Sequence, residues 1–180
     1  SNIEIIETIA AKLKEYRAEH IVVDPVMVST SGSKLLSDNA IHALKTHLFS
    51  IAAVITPNIP EAEVLTGFSI KSKEDMLTAA EEMAQVTKGC VLIKGGHLEN
   101  CADDLLYVDG KTYWFEGPKI DNPNTHGTGC TLSSAIACNL AAGLDMVESI
   151  KNAKDYITGA IKANLKLGKG RGPLNHCFNL

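Results

Sequence analysis

Ala52-Ala-Val-Ile-Thr-Pro-Asn-Ile-Pro-Glu-Ala-Glu-Val-Leu-Thr-Gly67 passes from one kind of structure into another within sixteen residues. Ala52 to Thr56 is a short, nearly uniform apolar run that reads as a buried strand, and Pro57, which has no amide to donate, ends it. Pro60 to Leu65 then reads as a short helix stopped at Gly67. The same alternation recurs on both sides. Upstream, Ile5, Ile6, Ile9, Leu13 and Tyr16 fall at helical spacing and predict an amphipathic helix, followed by His20-Ile-Val-Val-Asp24 as a buried strand. Asp38 is the expected cap of a helix reaching about Leu48. Downstream, Ser72 followed by Asp75 predicts a helix start running to about Val86. Cys90-Val-Leu-Ile-Lys94 is then a third buried strand, closed by Gly95-Gly96.

Three apolar strands separated by helices predict right-handed crossovers and a mostly parallel sheet with helices on both faces, an α/β fold read as a single domain over residues 1–180. Asp103 to Phe115 is patterned differently. Leu-Leu-Tyr-Val, Asp109-Gly110 and Lys-Thr-Tyr-Trp-Phe form the signature of a tight antiparallel hairpin, expected at a sheet edge. A small-residue helix from about Thr131 to Ala142, stopped by Gly143, follows. A last helix from about Asp145 to Leu167 carries Val147, Ile150, Ile157, Ile161 and Leu165 on one face.

Composition narrows the partners. With 17 Lys+Arg against 21 Asp+Glu the formal net charge is −4, so nothing draws the chain generally toward nucleic acid or an anionic membrane. No apolar run approaches a membrane span. The five cysteines, at 90, 101, 130, 138 and 177, are odd in number and form no C-x-x-C pair, which suits a reducing, cytoplasmic compartment.

Four groups carry chemistry. His126-Gly-Thr-Gly-Cys130 opens a helix, so Gly127, Thr128 and Gly129 offer a tight turn whose unpaired amides face an anion; a purely structural glycine turn is the other reading. The segment is neither a P-loop nor a dinucleotide fingerprint. Cys130 stands at the helix start, a position that favours a thiolate, and three roles remain open to it: covalent nucleophile, general base, or inert packing residue. Asp24, at a strand end before Pro25, and Glu61, three residues after Asn58, are oxygen ligands suited to Mg²⁺ bridging phosphates. Capping of turns is the competing role for both carboxylates. Lys94 ends the third strand and reaches, as a point charge, toward a transferring phosphoryl group; a solvated lysine is its alternative. In parallel sheets such groups meet beyond the carboxyl ends of the strands.

Val23-Asp-Pro-Val-Met27 with Ser31-Gly32, Ile55-Thr-Pro-Asn-Ile-Pro-Glu-Ala-Glu63, Val91-Leu-Ile-Lys-Gly-Gly-His97, Asn124-Thr-His-Gly-Thr-Gly-Cys-Thr-Leu-Ser133 and Gly170-Arg-Gly-Pro-Leu-Asn-His176 occur in one order along the chain. Together they resemble the ribokinase-like superfamily and, within it, the hydroxymethylpyrimidine/phosphomethylpyrimidine kinases. The resemblance implies a three-layer sandwich. It also implies ATP-dependent phosphorylation of 4-amino-5-hydroxymethyl-2-methylpyrimidine and of its monophosphate in thiamin biosynthesis. Pyridoxine/pyridoxal kinase is the alternative on the same fold, and a noncatalytic nucleotide-binding module the alternative from another class.

By position, the resemblance assigns Asn58 and Glu61 to the element that organises Mg²⁺, with Asp24 beside it. Asp24, Lys94, Glu61 and Thr125 fall near the nucleotide, and Gly127, Thr128 and Gly129 in the anion hole. Cys130 stands where most superfamily members place an aspartate base. Family members begin with a further segment that contacts the pyrimidine, so the chain is expected to correspond to the carboxyl-terminal part of such a kinase, keeping the nucleotide side and lacking a complete acceptor site. Apolar edges left by missing strands would favour self-association, and a homo-oligomer is expected.

Overall fold

The computed structural model describes residues 2–28, 35–96, 102–118, 120–122, 126–165, 167 and 172–179. The chain divides into two compact units, Ser1–Glu116 and Gly117–Leu180.

The first unit is α/β. Helix α1 spans Ile3–Glu15, with Asn2 as its cap. Strand β1 (Val22–Val23) leads to α2 (Asp38–Ala43), which continues through a π-helical turn at Leu44–Leu48 and a 3₁₀ turn at Phe49–Ile51. Strand β2 (Val54–Ile55), α3 (Ile59–Thr66), α4 (Lys73–Ala84), β3 (Cys90–Ile93) and the hairpin β4 (Asp104–Val108) and β5 (Lys111–Phe115) follow. The five strands lie in chain order, β1-β2-β3-β4-β5. The first three are parallel, with Val22 opposite Val54 and Val54 opposite Cys90. The hairpin adds antiparallel, Ile93 facing Leu105. Its turn has positive φ at both Asp109 (49°) and Gly110 (73°), the conformation that matches the twist of the flanking strands.

Local chemistry fixes the helix starts. Asn58 Oδ1 accepts from Glu61 N–H at 2.9 Å while Glu61 Oε2 accepts from Asn58 N–H at 2.8 Å, a reciprocal capping box. Ser72 and Asp75 repeat it at α4. Burying one face of each element then builds a continuous core in which Met27, Phe49, Ile55, Met76 and Ile93 are fully enclosed, each worth about 1.5–3 kcal/mol of apolar transfer.

Several sequence expectations shift. The cap of α2 is Ser37, whose Oγ accepts from Ala40 N–H at 3.3 Å, and not Asp38, which is the first helical residue. The run His20–Asp24 yields only two paired residues, and both are half-buried, because β1 lies at the sheet's end. On α1 the buried line is Ile6 and Ala10, with Leu13 partly covered; Ile5, Ile9 and Tyr16 face outward. Helical spacing gave the helix correctly, but α1 has more apolar surface than its neighbours in this unit cover.

The second unit pairs α5 (Thr128–Ala141) with α6 (Met146–Lys162). Helix α5 starts three residues earlier than its sequence suggested. Asp145 caps α6 by accepting from Glu148 N–H at 2.8 Å. Asn139 Nδ2 donates to Ser149 O at 3.0 Å across the two helices, and Asn122 Nδ2 donates to Ile161 O at 2.6 Å near the end of α6. The tail returns to α6 through Tyr156, whose hydroxyl donates to His176 O at 3.3 Å and whose ring lies 5.5 Å from that of Phe178. Among the described residues no helix is long and apolar enough to cross a membrane.

Candidate active site

The first unit gathers Asp24, Asn58, Glu61 and Lys94 at the ends of β1, β2 and β3. Parallel pairing carries the three strands to one rim: Thr56 N–H donates to Val23 O at 3.0 Å and Lys94 N–H to Pro57 O at 2.9 Å. Lys94 Nζ then lies 2.5 Å from Asp24 Oδ1, with both side chains mostly enclosed, at 15% and 13% exposure. The same Asp24 oxygen accepts a hydrogen bond from Thr56 Oγ1 at 3.0 Å. Oδ1 is thus committed twice, and Oδ2 is the oxygen left for a ligand.

Glu61 sits beside this pair and is 2% exposed. Burial pushes its carboxyl above the usual range, and the negative charge of Asp24 adds to the rise. The Asn58 amide, the Lys94 ammonium and the Met27 amide pull the other way without reversing it. A carboxylate that burial disfavours is one whose charge a cation would stabilise. Among the described residues no group of three or more His, Cys, Asp or Glu could by itself hold a metal ion. Asp24 and Glu61 are the carboxylates at this rim that could hold Mg²⁺, an ion that commonly takes one or two carboxylates and completes its shell with water and phosphate oxygens.

Capping is realised at Asn58 and Glu61, and the box that starts α3 also fixes the Glu61 carboxyl, so the capping role is compatible with a ligand role. Thr56 is the residue that sequence reasoning passed over. Its signal was a hydroxyl at the end of an apolar strand, yet nothing along the chain points to its partner 32 residues away.

In the second unit, Gly127 adopts φ 82° and caps α5, a conformation that a side chain would strain. Thr128, Gly129 and Cys130 are therefore the first three residues of the helix, where amides lack intrahelical acceptors. The first such bond is Thr131 N–H to Gly127 O at 2.9 Å. Ser133 Oγ donates back to Gly129 O at 3.0 Å, tying off the turn from below. Cys130 is exposed. Asp24, Glu61, Asn58 and Lys94 belong to the first unit and Gly127 to Cys130 to the second. Thr125 lies outside the described residues, as do Ser31, Gly32, His97, Asn124, Gly170 and Arg171.

Residues 1–175 match the family model described as phosphomethylpyrimidine kinase. The chain is 43% identical over 180 residues to the hydroxymethylpyrimidine/phosphomethylpyrimidine kinase of Streptomyces coelicolor, covering 100% of itself and 66% of that protein. It is 48% identical over 174 residues to the thiamine biosynthesis bifunctional protein ThiED of Geobacter sulfurreducens, of which it spans 36%. Among solved structures, the phosphomethylpyrimidine kinase of Clostridium difficile superposes with a TM-score of 0.77 at 42% identity, over 89% of this chain and 65% of that one. The pyridoxal kinase of Staphylococcus aureus in complex with AMP-PCP superposes with a TM-score of 0.91 at 32% identity, over 99% and 66%. These neighbours share the ribokinase-like α/β fold. The chain spans about two thirds of the length of the single-function relatives it matches.

Proposed function

The chain belongs to the phosphomethylpyrimidine kinase family, and from that premise we propose that its protein transfers the γ-phosphoryl group of ATP to the hydroxymethyl oxygen of 4-amino-5-hydroxymethyl-2-methylpyrimidine, and then to the resulting monophosphate. The observation that carries the reading is the Lys94–Asp24 pair beside buried Glu61. A cation with ammonium protons to spare, next to two carboxylates, suits a triphosphate accompanied by Mg²⁺.

That placement supports the roles given to the first-unit residues, and the family resemblance supports those given to Thr128, Gly129 and Cys130. Lys94 neutralises phosphate charge while Asp24 holds its ammonium in place. Asp24 Oδ2 and Glu61 are the groups that would hold Mg²⁺, assisted by Asn58, which orients Glu61. Bound there, Mg²⁺ supplies charge neutralisation for the phosphates. The amides of Thr128 and Gly129, preorganised by Gly127, receive the negative charge that develops on the transferring group. Cys130 is the base that takes the acceptor's hydroxyl proton. The acceptor oxygen bonds to the γ-phosphorus as the bond to the bridging oxygen breaks, and ADP leaves with the electron pair.

The test is ADP release by the complete gene product, with the pyrimidine, its monophosphate and pyridoxal offered in turn. Turnover with the first two supports the proposal. Preference for pyridoxal would favour the second reading, to which the superposition on pyridoxal kinases lends weight. ATP binding without transfer to any acceptor would favour a noncatalytic module.

A further inference from the structure

Lys94 owes its position to more than its own ion pair. The antiparallel ladder between β3 and β4 runs Val91 to Tyr107, Leu92 to Leu106 and Ile93 to Leu105, and ends there. Beyond it, the Lys94 amide is held on one side by Pro57 O. The following amide, that of Gly95, donates at 2.9 Å to Asp104 Oδ1 in a buried bond. Gly95 is also pressed against β4's approach: a Cβ there would overlap the Asp103 carbonyl. Asp103 is braced from outside by Lys73, 2.8 Å from its Oδ2, and the Lys73 ammonium lies 4.7 Å from the Trp114 ring centroid.

We propose that Asp104 is a positioning residue for phosphate binding: by hooking the Gly95 amide it fixes where the main chain leaves β3, and so where Lys94 delivers its ammonium to Asp24 and to the nucleotide. A side-chain oxygen holds the peptide immediately after the site cation, at the point where strand pairing gives out. Lys73 braces the same corner through the Asp103 carboxylate and the Trp114 ring, and provides the control. The inference rests on the kinase reading of Lys94.

The experiment measures Mg·ATP affinity by calorimetry and exchange of the Gly95 amide by NMR in one set of variants. Asp104→Ala and Asp104→Val are expected to expose the Gly95 amide to exchange and weaken Mg·ATP binding about tenfold, as lost support of a ligand-binding group typically does. Asp104→Asn keeps an acceptor oxygen and is expected to restore both readouts. Lys73→Met lowers Tm but leaves Mg·ATP affinity unchanged. Unchanged affinity in Asp104→Val despite a freely exchanging Gly95 amide overturns the role given to Asp104, as does equal weakening by Lys73→Met. No ATP binding by the unsubstituted protein overturns the kinase reading itself, while Gly95 exchange still reports whether the hook exists.

Discussion

Lys94 Nζ stands 2.5 Å from Asp24 Oδ1 although 70 residues separate them, and each side chain is at least 85% enclosed. Enclosed this far, the pair is asymmetric in its energetics: removing one partner strands the other's charge. Lys94→Met is therefore expected to destabilise the first unit by about 3 kcal/mol, the low end for a buried pair, and to weaken ATP binding. Lys94→Met combined with Asp24→Leu is expected to recover most of the stability and none of the binding. Denaturant melts alongside ATP titrations check both. Recovery of binding in the double variant would argue against a phosphate role for Lys94.

Glu61 predicts a dependence on pH. Its folded-state carboxyl titrates above the unfolded value, so the native state binds its proton more tightly than the unfolded chain does. Stability from this group is fully present below the unfolded value and is lost as pH rises through the folded one. Glu61→Gln removes that loss while keeping an acceptor for the Asn58 amide. The difference in Tm, variant minus parent, should grow more positive as pH rises from about 4.5 and level off above the folded value. A difference that is flat with pH would show that Glu61 titrates normally.

Thiol reactivity should separate the cysteines. Cys90 is buried, and burial, with a smaller contribution from Asp109, pushes its thiol up to about 11. Cys130, Cys138 and Cys177 are exposed and free. Brief alkylation with iodoacetamide near pH 8, read by mass spectrometry, should label these three well before Cys90. ATP is expected to protect Cys130 selectively; equal labelling of Cys130 with and without nucleotide would place it away from the phosphates.

Two glycines should respond differently to alanine. At Gly95 the new Cβ meets the Asp103 main chain, which cannot swing aside, so Gly95→Ala should cost at least the 1–3 kcal/mol of ordinary overpacking. At Gly159 the obstacle is the Phe178 ring, which can. Helix propensity there returns about 1 kcal/mol against part of one aromatic's burial, so Tm should barely move. The tail should instead become susceptible to carboxypeptidase.

What was readable in the sequence was local. Asn58 and Glu61, or Ser72 and Asp75, satisfy each other across three residues, so spacing alone located α3 and α4. Asp109-Gly110 set its turn by backbone preference. Lys94 and Asp24 could be placed at strand ends because parallel strands deliver their carboxyl ends to one rim. The rest depended on tertiary neighbours. Nothing in Thr56 names Asp24, nothing in Gly95 names Asp104, and nothing in Lys45 foretells that its ammonium donates to Leu65 O at 2.7 Å. The half-buried state of β1 likewise reflects its place at the end of the sheet, not its Val-Val sequence.

Since spatial order among the five described strands equals their order along the chain, none of the five has to be threaded between two others already placed. During synthesis each newly emerged strand finds its docking edge supplied by the one made just before it. Assembly of these five strands can therefore proceed outward at the pace of translation.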